Sequence, residues 1–241
     1  MPSSTVVGRE TELDGLREFL AGSDLQAFVL RGDPGIGKTI LWQRGVDDAV
    51  ARGSRVLVHR AVEAEAGLAF TGIADLVGPV LAEVEDDLAP PRLRALRVAL
   101  LLEDPGAAPP QPEAIGLAVL DVLTLLSAGG PVLVAIDDLQ WLDSSSSSVL
   151  PLALRRLRGT PVSLLVSIRD APGVRPPFEP ASLLGDDGVV ELRVQPLGLS
   201  ETHRLLSDGV GVDLPRPDLV RIHEASGGNP LFALDHARIE G

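Results

Sequence analysis

The sequence predicts an α/β protein in three layers, with a mostly parallel five-stranded sheet between helices and the start of a helical lid behind it. Three observations carry this expectation. Five short apolar or alternating runs, at residues 26–31, 55–60, 131–137, 161–168 and 189–194, are set among stretches of helical spacing. Two of those runs, VLVAI and VSLLVSI, are continuously apolar, as strands covered by helices on both faces must be. Beyond Pro196 only helical patterns remain, in SETHRLLSDGV, PDLVRIHEAS and PLFALDHARIE. Residues 1–197 are therefore expected to form the α/β domain and residues 198–241 the beginning of the lid.

The elements follow in order. Thr11–Ala21 places Leu13, Leu16 and Leu20 on one face of a short helix. The run from Gln26 to Arg31 is a strand ending in a glycine-rich turn. Helical spacing resumes over Lys38–Arg52, and Gly53 suits the position just past a helix end. Arg55–Arg60 reads as a strand. A long, mostly apolar helical region follows, comprising AFTGIADLVGPVLAEV and PPRLRALRVALLL, and then a loop at Asp104–Pro112. Helix Glu113–Leu126, strand Pro131–Asp137, helix Ser144–Leu157 and strands Pro161–Ile168 and Val189–Val194 complete the core. The serines at 144–148 suit a helix start, because serine favours N-caps. Ile115–Ile136 carries only Asp121 as a charge, but Gly129-Gly130-Pro131 divides it into pieces too short to cross a bilayer.

Composition removes several functions. There is no cysteine, so disulfides, thiolate metal sites and cysteine nucleophiles are excluded. A net charge of −13 argues against these residues gripping a nucleic-acid backbone. No two of the four histidines, His59, His203, His223 and His236, stand at the i, i+3 or i, i+4 spacing of a metal-binding pair. The start, Met1-Pro-Ser-Ser-Thr, has no basic and apolar leader pattern, and a cytoplasmic setting is expected. All basic residues but one are arginine. The exception is Lys38, a position that demands a compact ammonium on a flexible stem.

Lys38 lies in Gly32-Asp33-Pro34-Gly35-Ile36-Gly37-Lys38-Thr39, which fits G-x-x-x-x-G-K-[ST] between a strand and a helix. Such a loop turns backbone N–H groups inward around phosphate oxygens at a positive helix end. Lys38 is then expected on the β and γ phosphates and Thr39 on Mg²⁺. The fold expected is thus that of a P-loop NTPase. The strand VLVAI delivers Asp137 and Asp138 at its C-terminal end, where open α/β sheets bind ligands. Asp137 is assigned to the Mg²⁺ shell and Asp138 to the attacking water. An aspartate at the base position suggests slow hydrolysis. Arg169, at the end of the next buried strand, is a candidate γ-phosphate sensor. No guanine-reading [NT]-K-x-D motif occurs, since Lys38 is the only lysine.

The ordered set VVGRE, GDPGIGKT, IDDLQWLD, SIRD and Ser226-Gly-Gly-Asn-Pro-Leu231 resembles the nucleotide-binding module of STAND-class AAA-related ATPases. Within that class the text is most similar to the large ATP-binding regulators of the LuxR family, over roughly residues 5–240. The resemblance implies that Val6, Val7 and Arg9 approach the adenine, that Gly32 to Ile40 wrap the nucleotide, and that Pro230 packs on the base. It also implies Arg169 as the sensor arginine, ATP or ADP with Mg²⁺ as ligands, and self-association. Such regulators continue into a winged helix, a helical-repeat sensor and a C-terminal DNA-binding helix-turn-helix. Any DNA contact is therefore expected outside these residues, with no membrane association. Three functions compete: a slowly hydrolysing ATP/ADP switch domain, a nucleotide-locked scaffold that does not turn over, and a free-standing ATPase or small-molecule kinase.

Overall fold

The structure, a computed structural model, describes residues 6–22, 26–210 and 214–240. The Met1–Thr5 stretch and Gly241, outer limits of the two expected domains, lie outside the described residues. In chain order the elements are α1 (Glu10–Phe19), β1 (Ala27–Gly32), α2 (Lys38–Ala51), β2 (Arg55–Arg60), α3 (Thr71–Val77), α4 (Leu81–Val84), α5 (Pro90–Ala99) and α6 (Pro112–Ala128). They continue with β3 (Val132–Asp137), α7 (Ser144–Leu154), β4 (Val162–Arg169), α8 (Pro180–Leu184), β5 (Val189–Arg193), α9 (Leu199–Val210), α10 (Arg216–Ser226) and α11 (Pro230–Glu240). The sheet order is β2-β3-β4-β1-β5, and every pairing is parallel.

The continuous apolar strands are central, as full burial requires. All six residues of β3 are buried, and β4 is flanked by β3 and β1. Alternate side chains feed two cores. Phe28, Leu30, Leu133, Ala135 and Leu165 face α1 and α2, whereas Val29, Val134, Ile136, Val166 and Ile168 face the helices of the opposite layer. Trp42 of α2 is fully buried, and its indole N–H donates to the Leu165 carbonyl at 3.3 Å. Burying such a side chain contributes several times the stabilisation of a single methylene, about 0.8 kcal/mol each. In α1 the deepest residues are Leu16 and Phe19, and the Phe19 ring lies 5.4 Å from that of Phe28. Leu13 and Leu20 pack at the edge of the same core.

The predicted elements differ from the observed ones in several places, and α8 lies in a stretch for which no element is predicted. The long helical region after β2 is three short helices, because Gly78-Pro79 forces a tight 3-10 turn and the Pro90-Pro91 pair starts a new helix. Helix α7 ends at Leu154, three residues short of the predicted end. Its N-cap is Asp143, whose carboxylate accepts from the Ser146 N–H, and not a serine. The three C-terminal helices share a small core of their own, built on Leu206, Leu219, Ile222, Ala233 and Ala237. No helix among the described residues is long and apolar enough to cross a membrane.

Candidate functional site

β1 ends at Gly32 and α2 begins at Lys38, so the intervening residues must reverse from strand to helix within one turn. Gly35 at φ 78° and Gly37 at φ 106° make the reversal, in a region that side chains with a Cβ rarely enter. Gly37 directly precedes α2, so its neighbours present the unpaired N–H groups of that helix. The Lys38 ammonium folds back under the loop and donates to the carbonyls of Gly32 at 2.8 Å and Asp33 at 2.9 Å. Burial strips it of water and holds its pKa below the usual lysine value, despite the attraction of Asp138. A desolvated cation of this kind favours an anion in the loop.

The parallel register brings the other charged groups alongside. Arg169 pairs with Gly32 across β4 and β1, and Asp137 pairs with Arg60 across β3 and β2. Asp137 is almost completely buried, and burial raises its pKa even though the Ser167 hydroxyl and Thr39 donate to it. A buried carboxylate with raised proton affinity is short of positive charge. Thr39, exposed at the first turn of α2, shares that opening. Mg²⁺ retains several waters and takes one or two protein oxygens beside substrate phosphates, a demand that Thr39 and Asp137 meet. No group of three or more His, Asp or Glu residues that could cage a metal unaided occurs among the described residues.

Asp138 adopts a left-handed backbone at φ 54°, an angle that aspartate tolerates better than most residues. This turns its carboxylate away from the strand and onto Arg169. The guanidinium grips it with two bonds, Nε to Oδ1 at 3.1 Å and Nη2 to Oδ2 at 2.7 Å, while Gln140 donates to Oδ1 at 3.0 Å. Burial pushes the Asp138 carboxyl up, but the bonds from Arg169 and Gln140, with the charges of Arg169 and Lys38, hold it below the usual range. Ser167 ties the pair together, accepting from the Asp138 N–H at 2.8 Å and donating to Asp137.

A second cluster lies beyond the loop. Val6, Val7, Arg9, Ile36, Gly37, Ile40 and Pro230 surround one small, largely apolar pocket, joined there by Leu197 and Leu205. Arg9 is buried, and its guanidinium donates to the Ile36 carbonyl at 2.9 Å, the Gln195 carbonyl at 2.6 Å and Glu12 at 3.0 Å. It braces the phosphate loop against the chain that leads to the lid. Ile40 remains half exposed at the pocket wall.

The residues singled out from sequence thus fall into two adjoining groups, with Lys38, Thr39, Asp137, Asp138 and Arg169 in one and the apolar set in the other. Sequence reasoning missed Gln140, Ser167, Leu197, Leu205 and Asn229. Ser167 was detectable as a hydroxyl within a continuously apolar strand, and Gln140 and Asn229 lie inside motifs already noted. Leu197 and Leu205 carry no sequence signal.

Residues 5–166 match the model of the AAA ATPase domain. Among curated proteins none matches significantly. Solved structures of similar fold include a signal transduction ATPase with numerous domains (STAND) and a tetratricopeptide repeat sensor from Pyrococcus horikoshii. It is 18% identical with a TM-score of 0.55, over 93% of this chain and 28% of that one. The ORC1 protein of Aeropyrum pernix, solved in complex with DNA, is 20% identical with a TM-score of 0.53, over 95% of this chain and 58% of its own. A point variant of RuvB from Thermotoga maritima is 17% identical with a TM-score of 0.52, over 96% and 61%. This chain therefore spans less than two thirds of each of these relatives. The matched stretch runs from the N-terminal approach through the phosphate loop and both carboxylates into β4, well over half of the residues, and on that footing the chain belongs to the AAA ATPase domain family.

Proposed function

We propose that this chain is the ATP- and ADP-binding switch domain of a STAND-class regulator of the LuxR type, with slow Mg²⁺-dependent hydrolysis. Residues 1–197 form the nucleotide-binding domain and residues 198–241 the start of its lid. The bound nucleotide and Mg²⁺ would supply the phosphoanhydride and the cation that balances its charge. The chain's own residues do the rest. Lys38 and the loop N–H groups hold phosphate oxygens, Thr39 and Asp137 offer oxygens to the cation, and Asp138 orients and deprotonates water. Val6, Val7, Arg9, Ile40 and Pro230 close around the base. The reading extends to a cytoplasmic protein that associates with itself in one nucleotide state and contacts DNA only through a domain outside these residues.

The observation that carries slow turnover is the grip of Arg169 on Asp138. A carboxylate held in two bonds by a guanidinium is a poor proton acceptor, since its proton affinity has been lowered. Arg169 can serve a γ-phosphate only by loosening that grip, so ATP and ADP have different affinities for the two arrangements. The same grip supports the second reading, a nucleotide-locked scaffold. Phosphate release from ATP, measured beside Asp138→Asn, separates them. The switch predicts slow release that Asp138→Asn abolishes while nucleotide binding persists. Release from neither protein supports the scaffold, and no adenine nucleotide binding at all contradicts both.

A further inference from the structure

The α10–α11 corner, Gly227-Gly228-Asn229-Pro230, is more than a helix break. Pro230 is the first residue of α11, which makes Asn229 its N-cap. The Asn229 Oδ1 accepts from the N–H of Leu231 at 3.1 Å and of Phe232 at 3.5 Å. Its other amide atom points the opposite way. Nδ2 donates to the carbonyl of Pro34, inside the phosphate loop, at 2.9 Å. The residue is 7% exposed, and both halves of the amide are engaged. The contact is reinforced on either side. The Leu231 N–H also reaches the Gly35 carbonyl at 3.4 Å, and a Cβ on Gly35 would meet Leu231 Cβ at 2.8 Å. Gly228 is tied to the segment that leads into the lid, its carbonyl accepting from the Leu197 N–H at 2.8 Å. A Cβ on Gly228 would lie 2.3 Å from the Leu197 carbonyl oxygen, so only glycine fits at this close approach.

We propose that Asn229 is a positioning residue that couples the helical lid to the phosphate loop, so that the loop cannot open to release nucleotide until the lid undocks. The inference rests on the nucleotide-binding reading of the same site and adds to it how exchange is controlled. One amide serves both partners at once. Its oxygen fixes the start of α11 and its nitrogen fixes the loop carbonyl, and together they make the loop and the lid a single moving part. Glycine at position 35 is then required by the lid, which leans on the loop from outside, as well as by the turn.

The capping and tying roles separate by substitution. Asn229→Ser keeps an N-cap oxygen for α11 but cannot reach Pro34, whereas Asn229→Ala loses both roles. Two readouts are compared across the unaltered chain and both variants: dissociation of mant-ADP, and hydrogen exchange of residues 33–37 without nucleotide. Loss of one net hydrogen bond corresponds to about a 2- to 10-fold change. The expected result is faster mant-ADP release and faster loop exchange by that factor in Asn229→Ser as well as in Asn229→Ala. Thermal stability should fall further in Asn229→Ala than in Asn229→Ser, because only the alanine also removes the helix cap. Asn229→Ser indistinguishable from the unaltered chain in both readouts would overturn the proposal and leave Asn229 as a cap alone. If the unaltered chain fails to bind mant-ADP, the nucleotide reading falls, and loop exchange in Asn229→Ser still decides the tie.

Discussion

Asp143 offers the sharpest structural prediction, because the residue is 1% exposed and both its carboxylate oxygens are engaged. Oδ1 accepts from the N–H of Phe70 at 2.9 Å and of Ser146 at 2.8 Å. Oδ2 accepts from the N–H of Gly72 at 2.9 Å and the hydroxyl of Thr71 at 3.1 Å. One side chain thus holds the first turns of α3 and α7 together. Asp143→Ala would orphan three backbone N–H groups, each costing about 1–3 kcal/mol when no partner replaces the carboxylate. Partial hydration keeps the sum near the upper end of single substitutions, about 4 kcal/mol. In a chain of this size that lowers the midpoint of thermal unfolding by roughly 10 °C. Asp143→Asn keeps the Oδ1 bonds and turns the other oxygen into a donor facing the Gly72 N–H, so about half the loss is expected. Burial raises the Asp143 carboxyl, but the donors of Ser146, Gly72 and Thr71 outweigh it and hold the group below the usual aspartate value. A lowered folded pKa gives stability that is fully present above the unfolded value, about 3.9, and lost as pH falls through the folded one. The gap between the unaltered chain and Asp143→Asn should therefore be constant from neutral pH to about 5 and close below 4. Calorimetric unfolding at several pH values measures both effects. A loss under about 1 kcal/mol for Asp143→Ala, or a gap that widens in acid, would refute the reasoning.

Two further outcomes follow from the paired carboxylates. Burial raises the Asp137 pKa, so its contribution to stability is present below the unfolded value and lost as pH rises through the folded one. Asp137→Asn should thus raise the nucleotide-free unfolding midpoint by a few degrees near neutral pH, about 1 kcal/mol, with the gain vanishing in acid, while Mg²⁺-dependent nucleotide affinity falls. Calorimetric unfolding and binding titrations with and without Mg²⁺ check the two halves. Arg169→Ala should let the Asp138 carboxyl rise toward the ordinary range, so the acidic limb of the pH profile of phosphate release moves to higher pH. An unmoved limb would show that Arg169 does not control that group.

The sheet was legible because its signal is physical and local. A strand buried on both faces has to read as an unbroken apolar run, and VLVAI and VSLLVSI do. Lys38 stood out for a similar reason, as the one ammonium among arginines in a loop whose glycines the turn requires. The helices between β2 and β3 were less legible, since GPV and PPR keep apolar spacing while proline breaks the hydrogen-bond ladder. Asp143 was hidden because it sits five residues from a more conspicuous pair, and its partners Phe70 and Gly72 lie far off in sequence. Arg169 was visible as a charge at a strand end, but its grip on Asp138 depends on a left-handed φ that no pattern announces. Asn229 shows the same limit, since its second partner lies 195 residues away.

Lys38 and its loop are expected to bind adenine nucleotide. Calorimetric titration with ATP and with ADP, each with Mg²⁺, beside a Lys38→Ala control, tests it most directly. Saturable binding of both nucleotides, lost in the control, is expected, with unequal affinities that set the size of the switch. Protein shown by heat release to carry no nucleotide, yet failing to bind either one, would contradict it, as would binding that Lys38→Ala leaves unchanged.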